Sequence, residues 1–382
     1  MAAKSLRVVG GWGVQVSLAS KLKTARSLTG MSTRSVATKM ASRFPISHAT
    51  IANYESGRSV PPMDVLAALA QLYERPINWF LERGKTLTGV RYRNLKSRVR
   101  IGTLHQYEAD VQRWMDAYVA VEERLKQPLV PTVAKPPANS DFPPDDLSRE
   151  VRRLLEFSED APIPGVVEVL EQFAVRVLEN PTDLRIDGLA AKYGDEHIVV
   201  LNPTASNDRT RMNAAHELAH ILLGDCDTET AESKAVEGRA FEFASHFLLP
   251  NHQLKRAFEG QSMVRLIQYK ERFGISLAAM VYRAEKLGFI TKHTAKMLWI
   301  EFARRNWRVN EPGFVRPDRA TRFERLIDEA LLSNRFSLKE LADLCGVRPD
   351  AIRERLNYAM GIQQDDVSKD GGTDTETVPF PR

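Results

Sequence analysis

The sequence predicts a mainly α protein with an α+β portion: a five-helix N-terminal domain, then a mostly helical domain with a small β-sheet. Three observations carry this. Between residues 20 and 84 apolar residues recur at helical spacing, with stop signals between the runs. Residues 126–146, "KQPLVPTVAKPPANSDFPPDD", hold six prolines and read as an extended linker. After it, "GLAAKYGDEHIVVLNP" reads as two short strands around Gly194-Asp195, followed by the helical run "AAHELAHILLGD".

The five helices follow from local signals. "SKLKTARSLTG" ends at Gly30, "STRSVATKMASRF" starts from a Ser32 cap and "SHATIANYESG" from a Ser47 cap. "PPMDVLAALAQLYE" begins with prolines, which a first helical turn tolerates, and "PINWFLERG" closes the set. Further on, Leu104, Tyr107, Val111, Trp114, Met115, Tyr118, Val121 and Leu125 form an apolar helical stripe suited to core packing. "DLSREVRRLLEF" and "PGVVEVLEQFAVRVLE" also read as helices. The polar, Gly-containing stretch 361–382 is expected to be disordered. The expected organisation is 20–84, a connector at 85–146, 147–313, a helical segment at 314–360, and the tail.

A chain of 382 residues exceeds one ordinary core. Two cysteines, Cys226 and Cys345, exclude a disulfide scaffold and suit a reducing compartment. Lys4 and Arg7 precede a mildly apolar run, but Gly10, Gly11, Gly13 and Gln15 make it a poor signal sequence. No membrane span is expected, and the localisation reading is cytoplasmic. Charge is uneven. Residues 1–84 carry eleven Lys/Arg against four acids, and 85–100 add six bases with no acid. Such a basic quarter seeks a polyanion.

Within it, "SHATIANYESGRSVPPMDVLAALAQLY" resembles the phage-repressor (XRE, Cro/cI-type) helix-turn-helix family, through Ile51, the Tyr54-Glu55-Ser56-Gly57 run and the helix after the prolines. The resemblance implies double-stranded operator DNA as partner, read by a homodimer, with the start of the third helix in the major groove. Ser47, His48, Ala49, Thr50 and Asn53 are then base- or phosphate-facing candidates, and Arg34, Lys39 and Arg58 phosphate partners. One departure stands out: Ile51 lies fourteen positions after Ala37, where about ten are usual, so "SRFP" lengthens the turn.

The chemistry-bearing motif is His216-Glu217-Leu218-Ala219-His220. Residues i and i+4 share one helical face, so both imidazoles can reach one ion, while Glu217 points toward an ion-bound water. The bland alternative is a pair of surface or hydrogen-bonded histidines. Catalytic zinc takes three protein ligands, and the third belongs on the next helix, "EGRAFEFASHFLLP". Glu237, Glu232, Glu242 and His246 compete for that role. His197 and His252 read as ordinary polar residues.

This segment resembles the E-x-x-A-x-x-F-A-x-x-L-L-x-P run of the ImmA/IrrE-type metallopeptidase family, with Glu237, Ala240, Phe243, Ala244, Leu248 and Pro250 on the pattern. The likeness spans roughly 147–313. It implies a zincin-like fold, Zn2+ as cofactor, His216, His220 and Glu237 as metal ligands, and Glu217 as catalytic base. Ala219 and Phe241 depart from residues common in the family. Strand 196–201, just before the metal helix, is the expected partner for an extended substrate peptide.

In "SLKELADLCGVRPDAIRERL" (337–356), Ala342, Gly346 and Ile352 have the spacing of a tight helix-turn-helix, either a second DNA reader or a structural or dimerising hairpin. The expected function is a DNA-binding transcriptional regulator carrying a zinc endopeptidase that cuts a partner regulatory protein, such as a repressor. The alternative is a regulator or antitoxin-like protein whose metallopeptidase-like part only senses a ligand or partner.

Overall fold

A computed structural model describes residues 13–73, 75, 77–81, 85–93, 99–136, 142–180, 182, 186–224 and 234–360. Cys226, Glu232 and the tail at 361–382 lie outside these. Five helices come first: α1 (Gly13–Leu28), α2 (Thr33–Met40), α3 (His48–Glu55), α4 (Met63–Leu72) and α5 (Ile77–Leu81). Strand β1 (Leu87–Arg93) and the long α6 (Ile101–Leu125) follow. Then come α7 (Pro144–Leu154), α8 (Val166–Gln172), β2 (Arg176–Glu179), β3 (Gly188–Tyr193) and β4 (Glu196–Leu201). The chain continues through α9 (Asn207–Leu223), α10 (Lys234–Leu248), α11 (Asn251–Phe258), α12 (Met263–Phe273), α13 (Leu277–Lys286) and α14 (Lys292–Arg304). It ends, among the described residues, with α15 (Arg322–Leu332), α16 (Leu338–Cys345) and α17 (Pro349–Ala359). None of the described helices is long and apolar enough to cross a membrane.

The N-terminal helices close on Leu22, Val36, Ile51, Leu69 and Phe80. The Ser32 and Ser47 hydroxyls cap α2 and α3, accepting from the backbone N–H three residues on. The lengthened turn between α2 and α3 is anchored by Phe44 and Ile46, which pack on that core, so the extra residues leave the helix pair intact. Arg26 of α1 donates to both carboxylate oxygens of Glu55 at 2.6 and 2.8 Å, fixing the end of α3.

The second part is built on one sheet of order β1-β3-β4-β2, antiparallel except for the parallel β2–β4 pair. β3 and β4 turn at Gly194 as the sequence predicts, with φ 64°. Side chains alternate across the sheet. Val177, Ala190, Val199 and Leu201 face the core shared with α7 to α14, including the buried α9 and α10. Leu178, Leu189, Ala191, Ile198 and Val200 face a second core made with α6 and α15 to α17. The α6 stripe from Tyr107 to Val121, and Ala342 and Ile352 of the C-terminal hairpin, are buried there. The hairpin thus covers the back of the sheet, with Gly346 in the left-handed region at φ 66° between its helices.

Three expectations are corrected. "FAVRVLE" does not continue helix α8: Ala174 takes φ 58°, and Arg176–Glu179 become β2. Residues 87–93, read as basic connector, form β1, because Val90 and Tyr92 alternate with Arg91 and Arg93 at strand period. Strand 196–201 offers no edge to a substrate: β4 is flanked by β3 and β2, and the outer strand on the β3 side is β1.

Candidate metal centre

Helix α9 is buried over nearly its whole length, so its apolar residues set its rotation and its polar ones land where the packing places them. Leu218, Ala219, Leu222 and Leu223 pack inward, and Gly224 ends the helix in the left-handed conformation at φ 75°. Helix α10 lies beside it through Ala240, Phe243 and Ala244, each fully buried. The two alanines allow the close approach that lets one carboxylate from α10 reach both imidazoles of α9.

That convergence is observed. His216 Nε2 lies 2.9 Å from His220 Nε2 and 3.2 Å from Glu237 Oε2. His220 Nε2 lies 3.3 Å from Glu237 Oε1. Both histidines are buried, while the Glu237 side chain is 35% exposed, so the cluster opens to solvent on the carboxylate side. Among the described residues, His216, His220 and Glu237 form a group able to hold a metal ion. Glu237, rather than Glu242 or His246, completes it. Glu242 pairs with Lys286, and His246 Nδ1 lies 2.8 Å from the Ser148 hydroxyl. His252 is spent on Asp160 at 2.9 Å.

The electrostatics suit a cation. Burial depresses the His216 pKa to about 4, so the ring is neutral near pH 7. His216 and His220 beside Glu237 hold its carboxyl well below the usual carboxylate range. Two ring nitrogens and a carboxylate thus crowd their lone pairs toward one point. Among the described residues, His216 Nδ1 is buried without a partner. This donor set fits zinc with an open coordination position. Glu217 is buried between the two histidines in sequence, and desolvation pushes its pKa up.

Two residues at the centre were missed as site residues. Arg91 Nη2 donates to Glu237 Oε1 at 3.2 Å. Arg93 Nη1 lies 2.9 Å from Glu237 Oε2 and 2.7 Å from His216 Nε2. The alternation of "VRYR" carries a strand signal, masked by the basic run around it.

Beside the centre opens a groove of about 800 Å³. Its wall includes Met212, one turn before His216, and Phe241, one turn after Glu237. Phe241 packs edge-on against Tyr282, ring centroids 5.6 Å apart.

In the N-terminal domain, Ser47, His48, Ala49, Arg34, Lys39 and Arg58 are exposed, and Thr50 and Asn53 partly so. Ser47 and Thr50 are engaged in the cap of α3, their hydroxyls 3.0 Å apart.

Comparisons with known families agree with this layout. Residues 17–78 match a helix-turn-helix domain, and residues 170–285 match the IrrE N-terminal-like domain. No curated protein and no solved structure matches the chain. The match at 170–285 contains α9, α10 and all three converging ligand candidates. The chain is therefore a fusion of a helix-turn-helix DNA-binding domain with a metallopeptidase-type domain of the IrrE N-terminal-like family.

Proposed function

We propose that this protein is a transcriptional regulator whose C-terminal part is a zinc-dependent endopeptidase cutting a partner regulatory protein, with a repressor as the favoured class of substrate. The observation that carries the reading is the meeting of His216, His220 and Glu237 next to a buried Glu217.

His216, His220 and Glu237 would hold the ion. Zinc, when bound, supplies water activation and polarisation of the scissile carbonyl. Glu217 accepts the proton of the attacking water and returns it to the departing amine. Desolvation raises its pKa, the direction that strengthens it as a base toward the attacking water. The adjoining groove, with Met212, Phe241 and Tyr282 along it, accommodates an apolar side chain of a polypeptide next to the cut bond.

The N-terminal domain binds operator DNA as half of a homodimer, with His48, Ala49 and Asn53 toward the bases and Arg34, Lys39 and Arg58 on phosphates. Ser47 and Thr50 secure the start of α3 and reach phosphate from there.

The test is a Glu217→Gln variant in cells that carry the regulated genes. It retains one zinc per chain and loses target processing by on the order of a hundredfold or more, whereas His216→Ala loses both. Processing at the wild-type level by Glu217→Gln would discard the enzyme reading. One observation favours the sensor reading: the two arginines lodged on Glu237.

A further inference from the structure

Strand β1 comes to the metal centre from outside the matched peptidase-type segment, which begins at residue 170. It follows the helix-turn-helix match, which ends at residue 78, and forms the outer strand of the sheet. Its register pairs Arg91 with Ala190 and Arg93 with Gly188, and a bulge between Thr88 and Arg91 has Gly89 at φ 59°. A bulge re-aims the residues beyond it. Val90 and Tyr92 then join the core behind the sheet, and Arg91 and Arg93 project from the opposite face, over α9.

The contacts made there are specific. Arg93 Nε lies 3.4 Å from Asn213 Oδ1, and its Nη1 contacts both His216 Nε2 at 2.7 Å and Glu237 Oε2 at 2.9 Å. Arg91 takes the other oxygen of Glu237. An imidazole nitrogen has one in-plane lone pair, which cannot accept an N–H and bind a divalent ion at once. A zinc–nitrogen bond is also short, about 2.0–2.1 Å, and a guanidinium keeps its charge at every relevant pH. Arg93 and the ion therefore exclude one another at His216 Nε2. Glu237 Oε2 can still hold Arg93 when the guanidinium swings away, since one carboxylate oxygen suffices for the ion.

We infer that Arg93 gates metal loading: its guanidinium occupies His216 Nε2 and must release that nitrogen before the ion binds. This rests on the reading of His216, His220 and Glu237 as a metal centre. It places control of that centre on the strand that tethers the DNA-binding domain to the sheet.

The test uses full-length wild-type protein and the R93M, R93K and R91M variants, each titrated with cobalt(II) and followed by visible absorption. Zinc affinity is then measured by competition with a chromophoric chelator. R93M is expected to bind on the order of ten- to a hundredfold more tightly than wild type, the scale of the charged hydrogen bond that the ion no longer has to displace. R93K falls between them, since an ammonium keeps the charge but lacks the fork. R91M, which loses only a Glu237 contact, changes affinity less than R93M. Melting curves establish that the variants fold, and R93K carries the test if R93M does not. Equal or weaker binding by R93M, with wild type taking up one ion per chain, overturns the gate and leaves the metal centre standing. No uptake by any of the proteins removes the metal centre and the gate together.

Discussion

The Arg176 guanidinium, on β2, donates through Nε and Nη2 to Glu122 Oε2 of α6 at 3.0 and 2.7 Å, with both side chains almost wholly buried. Glu122 also receives Arg322 from α15, so a single carboxylate joins the connector helix, the sheet and the C-terminal helices. Without Glu122, Arg176 keeps only Glu196 among the described acids, 2.9 Å from its Nη1, and two buried guanidinium contacts and that of Arg322 lose their acceptor. Glu122→Ala should therefore lower stability by about 3–5 kcal/mol, visible as an early transition in urea. A loss within ~0.5 kcal/mol would show that Glu196 alone suffices for Arg176 and that Glu122 does not join the three elements.

Metal loading should stabilise the fold. At a hundred times its dissociation constant, zinc adds about 2.7 kcal/mol, so the melting temperature rises with added zinc and falls with chelator. Because burial keeps His216 neutral down to about pH 4, that ring does not hinder loading at pH 6. His220→Ala and Glu237→Gln should abolish the zinc-dependent rise, as read by calorimetry. An unchanged rise in Glu237→Gln would mean that the third ligand is another group.

DNA binding should respond steeply to salt. Each phosphate neutralised contributes about −0.9 to the slope of log affinity against log salt. Arg34, Lys39 and Arg58 are exposed around α2 and α3. Replacing any one by Ala should weaken binding to all duplexes alike and flatten the slope by about one. His48→Ala and Asn53→Ala should instead change which duplexes are preferred. Fluorescence anisotropy across a salt series separates the two outcomes, and slopes identical to wild type would take the three basic residues off the interface.

Asp116 gives a pH dependence. Burial pushes its pKa up to about 6, although it accepts from the Tyr193 hydroxyl at 2.6 Å and from Gln112 at 2.8 Å. A carboxyl whose pKa is raised by folding favours the folded state in its protonated form. Its contribution is complete below about 3.8 and is lost as pH climbs through about 6. Relative to Asp116→Asn, wild type should therefore lose a few degrees of melting temperature between pH 4 and pH 7. A difference that does not change with pH would contradict the burial of this carboxyl.

Much of the site was legible because its determinants are local. The spacing of His216 and His220 is a helical repeat, and Glu237 follows from the family pattern on the neighbouring helix. Serine caps announced α2 and α3, and Gly194 announced the β3–β4 turn. What escaped were non-local relations. β1 is a strand because β3 lies beside it, and nothing near residue 90 reveals a partner at residue 190. β2 escaped because "FAVRVLE" satisfies helical periodicity, until Ala174 breaks it and β4 supplies a parallel neighbour. The α6 stripe revealed a buried face but not that its counterpart is the back of a sheet that also awaits Phe323, Leu341 and Ile352.

That last arrangement bears on how the protein is made. Helices α1 to α5 hold their own core and can condense as soon as they leave the ribosome. The sheet cannot close so early: α6 covers only part of its rear face, and the rest waits until residues from Phe323 to Ile352 have emerged, long after β1 to β4. During synthesis the helix-turn-helix head is thus complete while the peptidase-like half is still an open, aggregation-prone intermediate, a natural client for chaperones.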